Sequence, residues 1–337
     1  MFSILLATMG RLQAAPLFDA DTALKISLKG PLTTLMRERP EKEQLPFVLT
    51  VQDSDSSSTT LDVKLRTRGN YRRDPSTCPF APIRLNLKKK QVKGTIFEGQ
   101  DKLKLVTHCS DRGGKYKAAV QREYLAYRIF NMLTDISFRV RLLDITYVDT
   151  DANNREMTRF GFVLEDSDDL AGRIDRDELK IPETTIADLD PAYTNLVSVF
   201  QYLIANTDFS PIAAPPGEDC CHNTVLMGKT GELTYAVPYD FDISGFVNAP
   251  YATPNPRFKL RTVKQRLYRG RCVNNAELQA TVENFQAQQS AIRSMIESHP
   301  YLDSHARRET LGFVDAFYRI IGDAKTLNRN LVSRCLN

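Results

Sequence analysis

The sequence predicts an α+β fold of two lobes, with a strand-rich N-terminal lobe over residues 17–165 and a mainly helical C-terminal lobe over residues 166–337. Three observations carry this expectation. Residues 17–110 alternate apolar and polar side chains at period two, residues 116–133 change to helical spacing, and from Pro191 onward helical spacing dominates. A chain of 337 residues can bury one large core or two packed ones.

Taken in order, Leu24 to Leu28, Phe47 to Val51, Leu61 to Leu65, Ile83 to Leu87 and Leu103 to Val106 read as half-buried strands. Asp53 to Thr60, Arg68-Gly69-Asn70 and Asp74-Pro75-Ser76 carry turn chemistry between them. Leu125, Ile129, Met132 and Leu133 define one face of the helix at 116–133. Arg141 to Val148 and Arg159 to Glu165 read as two more strands around a polar hairpin loop. Leu196, Val199, Phe200, Leu203 and Ile204 then fit a helix that must stop near Asn206, since Pro211, Pro215, Pro216 and Gly217 follow. Short strands are expected near Thr224 to Met227 and Leu233 to Val237, and helix from Glu277 to the end.

Composition excludes some classes of function. No stretch approaches about 18 uninterrupted apolar residues, so no transmembrane helix is expected. The net charge of +4 is too mild to imply nucleic acid, and the basic run Lys88-Lys89-Lys90 lacks the interleaved aromatics that stack bases. The first third is basic, through Arg66, Arg68, Arg72 and Arg73, while residues 149–190 are acidic. That asymmetry suits an anion held between cations and metal-binding carboxylates.

Residues 1–16 read as the remnant of an export signal, because an apolar start leads to Gln13-Ala14-Ala15-Pro16. Arg11 interrupts that run, and an ordinary first helix fits the same residues. Six cysteines without a C-x-x-C spacing argue against zinc and for disulfides in an exported chain (periplasm or cell envelope). The expected pairs are Cys78 with Cys109 and Cys272 with Cys220 or Cys221, the last two being adjacent and ill-placed to bridge each other. Free buried thiols in a cytoplasmic protein are the alternative.

The chemistry concentrates between Asn206 and Gly245. Asp208 follows a helix end, His222-Asn223 begins a strand, and Asp240-Phe241-Asp242 follows the next strand. Those elements can bring Asp208, Asn223, Asp240 and Asp242 to one point, an oxygen donor set suited to Mg²⁺ or Mn²⁺. Backbone capping at helix ends and turns is the other use of such residues. The Pro-rich segment Phe246 to Arg271 is expected either to cover the core or to bind an acceptor beside this site.

Read in order, Arg66-Thr67-Arg68-Gly69-Asn70, the strand Pro82 to Leu87, Gly161-Phe162-Val163-Leu164-Glu165, then Asp208, His222-Asn223 and Val237-Pro238-Tyr239-Asp240-Phe241-Asp242 resemble the motif series of the spore-coat CotH-type kinase-like family, over residues 60–250. The resemblance implies an atypical protein-kinase fold and ATP-dependent phosphorylation of a protein substrate. It casts Asp208 as the residue that orients or deprotonates the acceptor hydroxyl, with Asn223, Asp240 and Asp242 around Mg²⁺ or Mn²⁺. It places Arg68, Gly69 and Asn70 near phosphate, Glu165 at the position of a kinase hinge, and Glu123 as the ion-pair partner of a phosphate-binding cation. Where that family carries Lys before the 83–87 strand, this chain has Phe80-Ala81, so the cation is expected at Arg84, Lys102 or Lys104. His222 replaces a Lys, and the 211–219 link is longer than usual. An inactive kinase-like binding protein is therefore the second expectation, and a metal-dependent hydrolase or nucleotidyl transferase the third.

Overall fold

A computed structural model describes residues 17–52 and 58–337; the expected export signal at 1–16 and part of the turn at 53–60 lie outside the described residues. Strands β1 (Leu24–Gly30), β2 (Leu45–Gln52), β3 (Ser58–Thr67), β4 (Ile83–Asn86), β5 (Lys102–Val106), β6 (Val140–Asp149) and β7 (Arg155–Leu164) pair in the order β1-β2-β3-β4-β5-β7-β6. Every one of these pairings is antiparallel, and a parallel ladder from Leu24 opposite Leu143 to Gly30 opposite Asp149 joins β6 back to β1. The seven strands thus form a closed barrel. Its interior is filled by the inward half of each alternation, including Leu28, Leu49, Leu65, Ile83, Leu103 and Ile145, all with no measurable exposure. Each such side chain contributes about 1.5–3 kcal/mol through burial.

This closure overturns the expected arrangement of a strand-rich lobe set over a helical one. Alternation at period two is the same for an open half-buried sheet and for a barrel, so the sequence pattern could not register the β1–β6 ladder. Short helix α1 (Leu32–Glu38) spans β1 and β2 and was unforeseen. Helix α2 (Gly114–Leu133) is buried nearly all round, unlike the one-faced helix expected. One side meets β6 and β7, and the others meet α5 (Leu278–Ser298) and α6 (Ser304–Ile321). A single apolar core therefore runs from Leu142 and Phe162 on the barrel wall, through Leu125 and Phe130, to Phe200, Phe285 and Phe317. A second core fills the barrel itself.

Beyond the barrel, α3 (Ser167–Arg173), α4 (Pro191–Leu203) and α7 (Ala324–Asn330) accompany a three-stranded sheet in the order β10-β9-β8. Its strands are β8 (Asp177–Glu178), β9 (Thr224–Gly228) and β10 (Tyr235–Pro238). Pro191 opens α4, where its fixed φ suits a first turn, and the Asp190 carboxylate accepts from Tyr193 N–H at 2.8 Å.

Cys78 and Cys109 are joined, as expected, across 4.8 Å between Cα atoms. The other pairing is corrected. Cys272 bonds Cys335, and Cys220 bonds its neighbour Cys221. The C-terminus explains the change, because Leu336 N–H donates to Gly270 O and Cys272 N–H donates to Leu336 O, both at 2.8 Å. That bridge sets Cys335 beside Cys272 and leaves Cys220 and Cys221 to each other. Among the described residues no helix is long and apolar enough to cross a membrane.

Candidate functional site

Helix α4 ends at Leu203, and Ala205 takes a left-handed backbone that turns the chain. Asn206 follows, its buried side chain accepting from Asp208 N–H at 2.9 Å. This side-chain turn presents the half-buried Asp208 carboxylate away from the core. Two side chains then fix it. Asn223 Nδ2 donates to Asp208 Oδ2 at 3.0 Å and to its main-chain oxygen at 2.7 Å, while His222 Nε2 lies 3.0 Å from Oδ1. The hydrogen bond to Asp208 raises the His222 pKa, against the opposing effect of partial burial.

Asn223 and Asp240 both adopt positive φ, 51° and 61°, a region that Asn and Asp tolerate better than most residues. Tyr239 N–H donates to Asn223 O at 3.0 Å, so the start of β9 and the end of β10 are tied together. Asp240 N–H donates to the hydroxyl of Tyr127 on α2 at 2.8 Å, which leaves its exposed carboxylate facing solvent. Phe241 anchors the turn, fully buried against Tyr127 and Phe200.

Asp242 turns the other way. It is buried and accepts from Tyr251 Oη at 3.0 Å. Burial, and then the charge of Asp240, push its pKa up to about 7, while Arg72 and the Tyr251 hydrogen bond pull it down. Glu123 on α2 is also buried, and burial followed by Asp242 lifts its pKa well above the carboxylate range. Arg72 lies between these acids. Its Nη1 is 3.8 Å from Glu123, its Nη2 donates to Thr107 O at 2.6 Å, and its guanidinium stands 5.6 Å from the Tyr251 ring centre. Burial works against the Arg72 charge, but Tyr251, Glu123 and Asp242 outweigh it and raise its pKa.

The facing wall is cationic. Arg66, Arg84 and Lys104 are register partners across β3, β4 and β5, so they share one face of the barrel. Arg84 pairs with Asp166 at 3.3 Å. Lys104 Nζ lies 4.9 Å from the Tyr239 ring centre, and burial, then Arg68 and Arg84, lower its pKa to about 8. Burial also lowers the pKa of Arg68, with Asp240 the largest opposing influence. Arg68 Nε is buried without a hydrogen-bond partner, a donor held ready for an acceptor. Gly69 and Asn70 follow it, both exposed, with Gly69 at a φ of 76° that favours glycine.

The expected residues therefore divide. Asp208 and Asn223 are bonded to each other, Asp240 is close enough to Arg68 and Lys104 to act on their charge, and Asp242 and Glu123 are buried with Arg72. Arg84 is paired with Asp166 at the edge of the cationic wall. Glu165 stands apart: its carboxylate holds Arg173 at 2.8 Å and accepts from Arg139 N–H at 2.9 Å, and its own N–H donates to Arg139 O. Both its backbone and side chain are committed to the barrel rim. Among the described residues no group of three or more His, Cys, Asp or Glu side chains lies close enough to hold a metal ion.

Three contributors carried no legible signal. The role of Arg72 was hidden in a run of four arginines, of which only the fold selects one to enter the acid layer. Tyr127 and Tyr251 reach the site from α2 and from the Pro-rich segment, contacts separated by 113 and 9 residues from their partners. Two cavities, of about 230 and 310 Å³, open on either side of Asp208, and both touch Thr207 and Asn255. No protein-family model matches the chain, and no curated protein matches its sequence.

Proposed function

We propose that the protein binds ATP with Mg²⁺ or Mn²⁺ among these residues and transfers the terminal phosphoryl group to a hydroxyl of a surface or envelope protein. The observation that carries the reading is the pairing of a doubly held carboxylate, Asp208, with an exposed unpaired one, Asp240, opposite Arg68 and Lys104. The motif order resembling the CotH-type family adds support from sequence alone; nothing in the reading needs a two-lobed kinase fold.

The donor set fits the cofactor. Asn223 spends its amide nitrogen on Asp208, which leaves its oxygen for a cation, and Asp240 offers a carboxylate. Mg²⁺ commonly takes one or two protein oxygens and completes its shell with water and phosphate, so a closed protein cage is not required. The bound metal would neutralise phosphate charge in transfer. Arg68, through its unpartnered Nε, and Lys104, whose pKa is depressed by burial and then by neighbouring cations, gain an anionic partner when phosphate enters. Asp208 accepts the hydroxyl proton as the acceptor oxygen bonds to phosphorus and the bond to the departing diphosphate breaks. The hydrogen bonds from Asn223 and His222 hold Asp208 in one orientation for that step. Three disulfides are compatible with an oxidising compartment and support export.

One observation favours a second reading, nucleotide binding without turnover. Glu123 pairs with Arg72, and among the described residues no buried acid forms an ion pair with Lys104. Terminally labelled ATP with Mg²⁺ or Mn²⁺ and an envelope-protein extract separates the two. Transfer is expected, and Asp208→Asn should slow it by about 10²–10⁴-fold while the ATP-induced rise in Tm persists. Asp240→Asn should remove the metal-dependent part of that rise. A Tm rise without labelling supports binding alone, and phosphate release without labelling supports a hydrolase. ATP that neither raises Tm nor is consumed sinks the proposal.

A further inference from the structure

The segment Phe246 to Arg271 contains seven cations, Arg257, Lys259, Arg261, Lys264, Arg266, Arg269 and Arg271, and no acid. In a chain with a net charge of only +4, that concentration needs an account. The structure sorts the seven into three groups. Arg266 donates to Leu203 O and Phe313 O, Arg269 to Thr207 O and Phe209 O, and Arg271 to Asn337 O. These three pin the segment to main-chain oxygens, Arg269 to those on either side of Asp208. Lys264 lies 3.9 Å from Glu309. Arg257, Lys259 and Arg261 are exposed and form no ion pair among the described residues.

The same segment lines both cavities beside Asp208. One is walled by Ile243, Pro254, Pro256 and Leu260, and the other by Pro215, Pro216, Phe258 and Arg257. Small apolar cavities on either side of a carboxylate, with the unpaired Arg257 lining one and Lys259 and Arg261 flanking Leu260 of the other in sequence, match an extended peptide whose side chains enter the cavities and whose acids meet those cations. Nucleic acid fits less well, because the aromatic rings of the segment are occupied. Tyr251 is bonded to Asp242, and Phe258 lies beneath the Arg269 guanidinium at 5.0 Å.

We propose that this face docks an acidic segment of the protein acceptor, so that the hydroxyl reaching Asp208 is flanked by Asp or Glu. The assignment of Asp208 as the acceptor's base rests on the function proposed above; the docking surface stands on its own geometry. Gly245 ties the two together. A Cβ there would come within 2.7 Å of Lys264 Cα and 2.9 Å of Ala205 Cβ, so the basic segment must cross the turn that follows Asp242 in close contact.

The test is fluorescence anisotropy on the full chain, without nucleotide, using a labelled Ser-containing peptide rich in Glu, its Lys-rich counterpart and a single-stranded DNA oligonucleotide. The Glu-rich peptide should bind best. Replacing Arg257→Glu, Lys259→Glu and Arg261→Glu together should weaken it at least about tenfold, with a clear loss in rising salt. A matched control, Lys89→Glu, Lys90→Glu and Lys93→Glu on exposed residues elsewhere, should leave binding within about twofold. Equal loss in both triple variants, no peptide binding, or tighter binding of DNA overturns the proposal. A separate Tm measurement with ATP and Mg²⁺ distinguishes the two readings. Peptide binding without an ATP response leaves the docking face standing and removes the phosphoryl-transfer reading, and the reverse result does the opposite.

Discussion

Arg66, Arg84 and Lys104 stand side by side on three hydrogen-bonded strands of the barrel, whereas Asp208, Asn223 and Asp240 sit on irregular chain after α4, before β9 and after β10. The cationic side inherits its spacing from the sheet, with neighbouring strands about 4.8 Å apart. The acidic side has no such lattice. It is held by individual bonds, Asn206 to Asp208, Asn223 to Asp208 and Tyr127 to Asp240. Fixed spacing comes from the barrel, and chemical choice comes from the loops.

The buried layer where the two sides meet should show the largest effect. Arg72 is the cation between Glu123 and Asp242, all three buried. Arg72→Met leaves those acids without their counter-charge, and a broken buried pair costs about 3–5 kcal/mol. Chemical denaturation at neutral pH should show that loss, and it should shrink at pH 5, below the raised pKa of Asp242 near 7. An Arg72→Met protein as stable as the parent would mean that the cationic and acidic sides are energetically separate.

Gly245→Ala probes the loop side alone. The added carbon meets the Lys264 backbone and Ala205, atoms that cannot rotate away, so the basic segment must shift. Overpacking of this kind costs about 1–3 kcal/mol. The Arg84–Asp166 pair on the barrel wall should be unaffected, and comparing amide exchange in 246–271 with that in β4 and β5 would check it. Equal loosening in both regions would break the distinction between barrel-borne and loop-borne sides.

The sequence was most legible where a periodic backbone does the positioning. Each expected strand between Leu24 and Glu165 falls within or overlaps a barrel strand, and the helix at 116–133 lies within α2. Closure was not legible, because pairing of β1 with β6 depends on residues some 119 apart, Leu24 and Leu143, and leaves alternation unchanged. The loop-borne residues were legible as types: Asn223 at the start of a strand and the acid pair Asp240 and Asp242 after the next one drew attention to this turn. What they face was not legible. Asp242 follows Asp240 by two residues, yet the two carboxylates diverge, one to solvent and one to Tyr251. Cys78 with Cys109 was legible, but the partner of Cys272 was not, since it is chosen by where the C-terminus docks.

The most gradual effect is a pH dependence whose sign differs between the two sides. Asp242 has a folded pKa near 7 against an ordinary value of 3.8, so between those limits the folded protein keeps a proton that the unfolded chain releases. Its contribution is present below about pH 4 and is lost as pH rises through about 7. Glu123, also raised, acts in the same sense. Lys104 has a folded pKa near 8 against 10.5, so the unfolded chain holds the extra proton, and stability from this group rises between about pH 8 and 10.5. The two trends leave the least support from this site near neutral pH. One proton of difference corresponds to at most about 1.4 kcal/mol per pH unit, and coupling among the acids spreads it further. Urea midpoints from pH 4 to 10 should fall and then recover. Asp242→Asn should flatten the acid limb and leave the alkaline limb, and Lys104→Met should do the reverse. If either substitution flattens both limbs, the two sides titrate as one unit, and the division between them lies in the backbone alone. If each flattens its own limb, the charge of Lys104 changes on the barrel side without reorganising the acids behind Asp240.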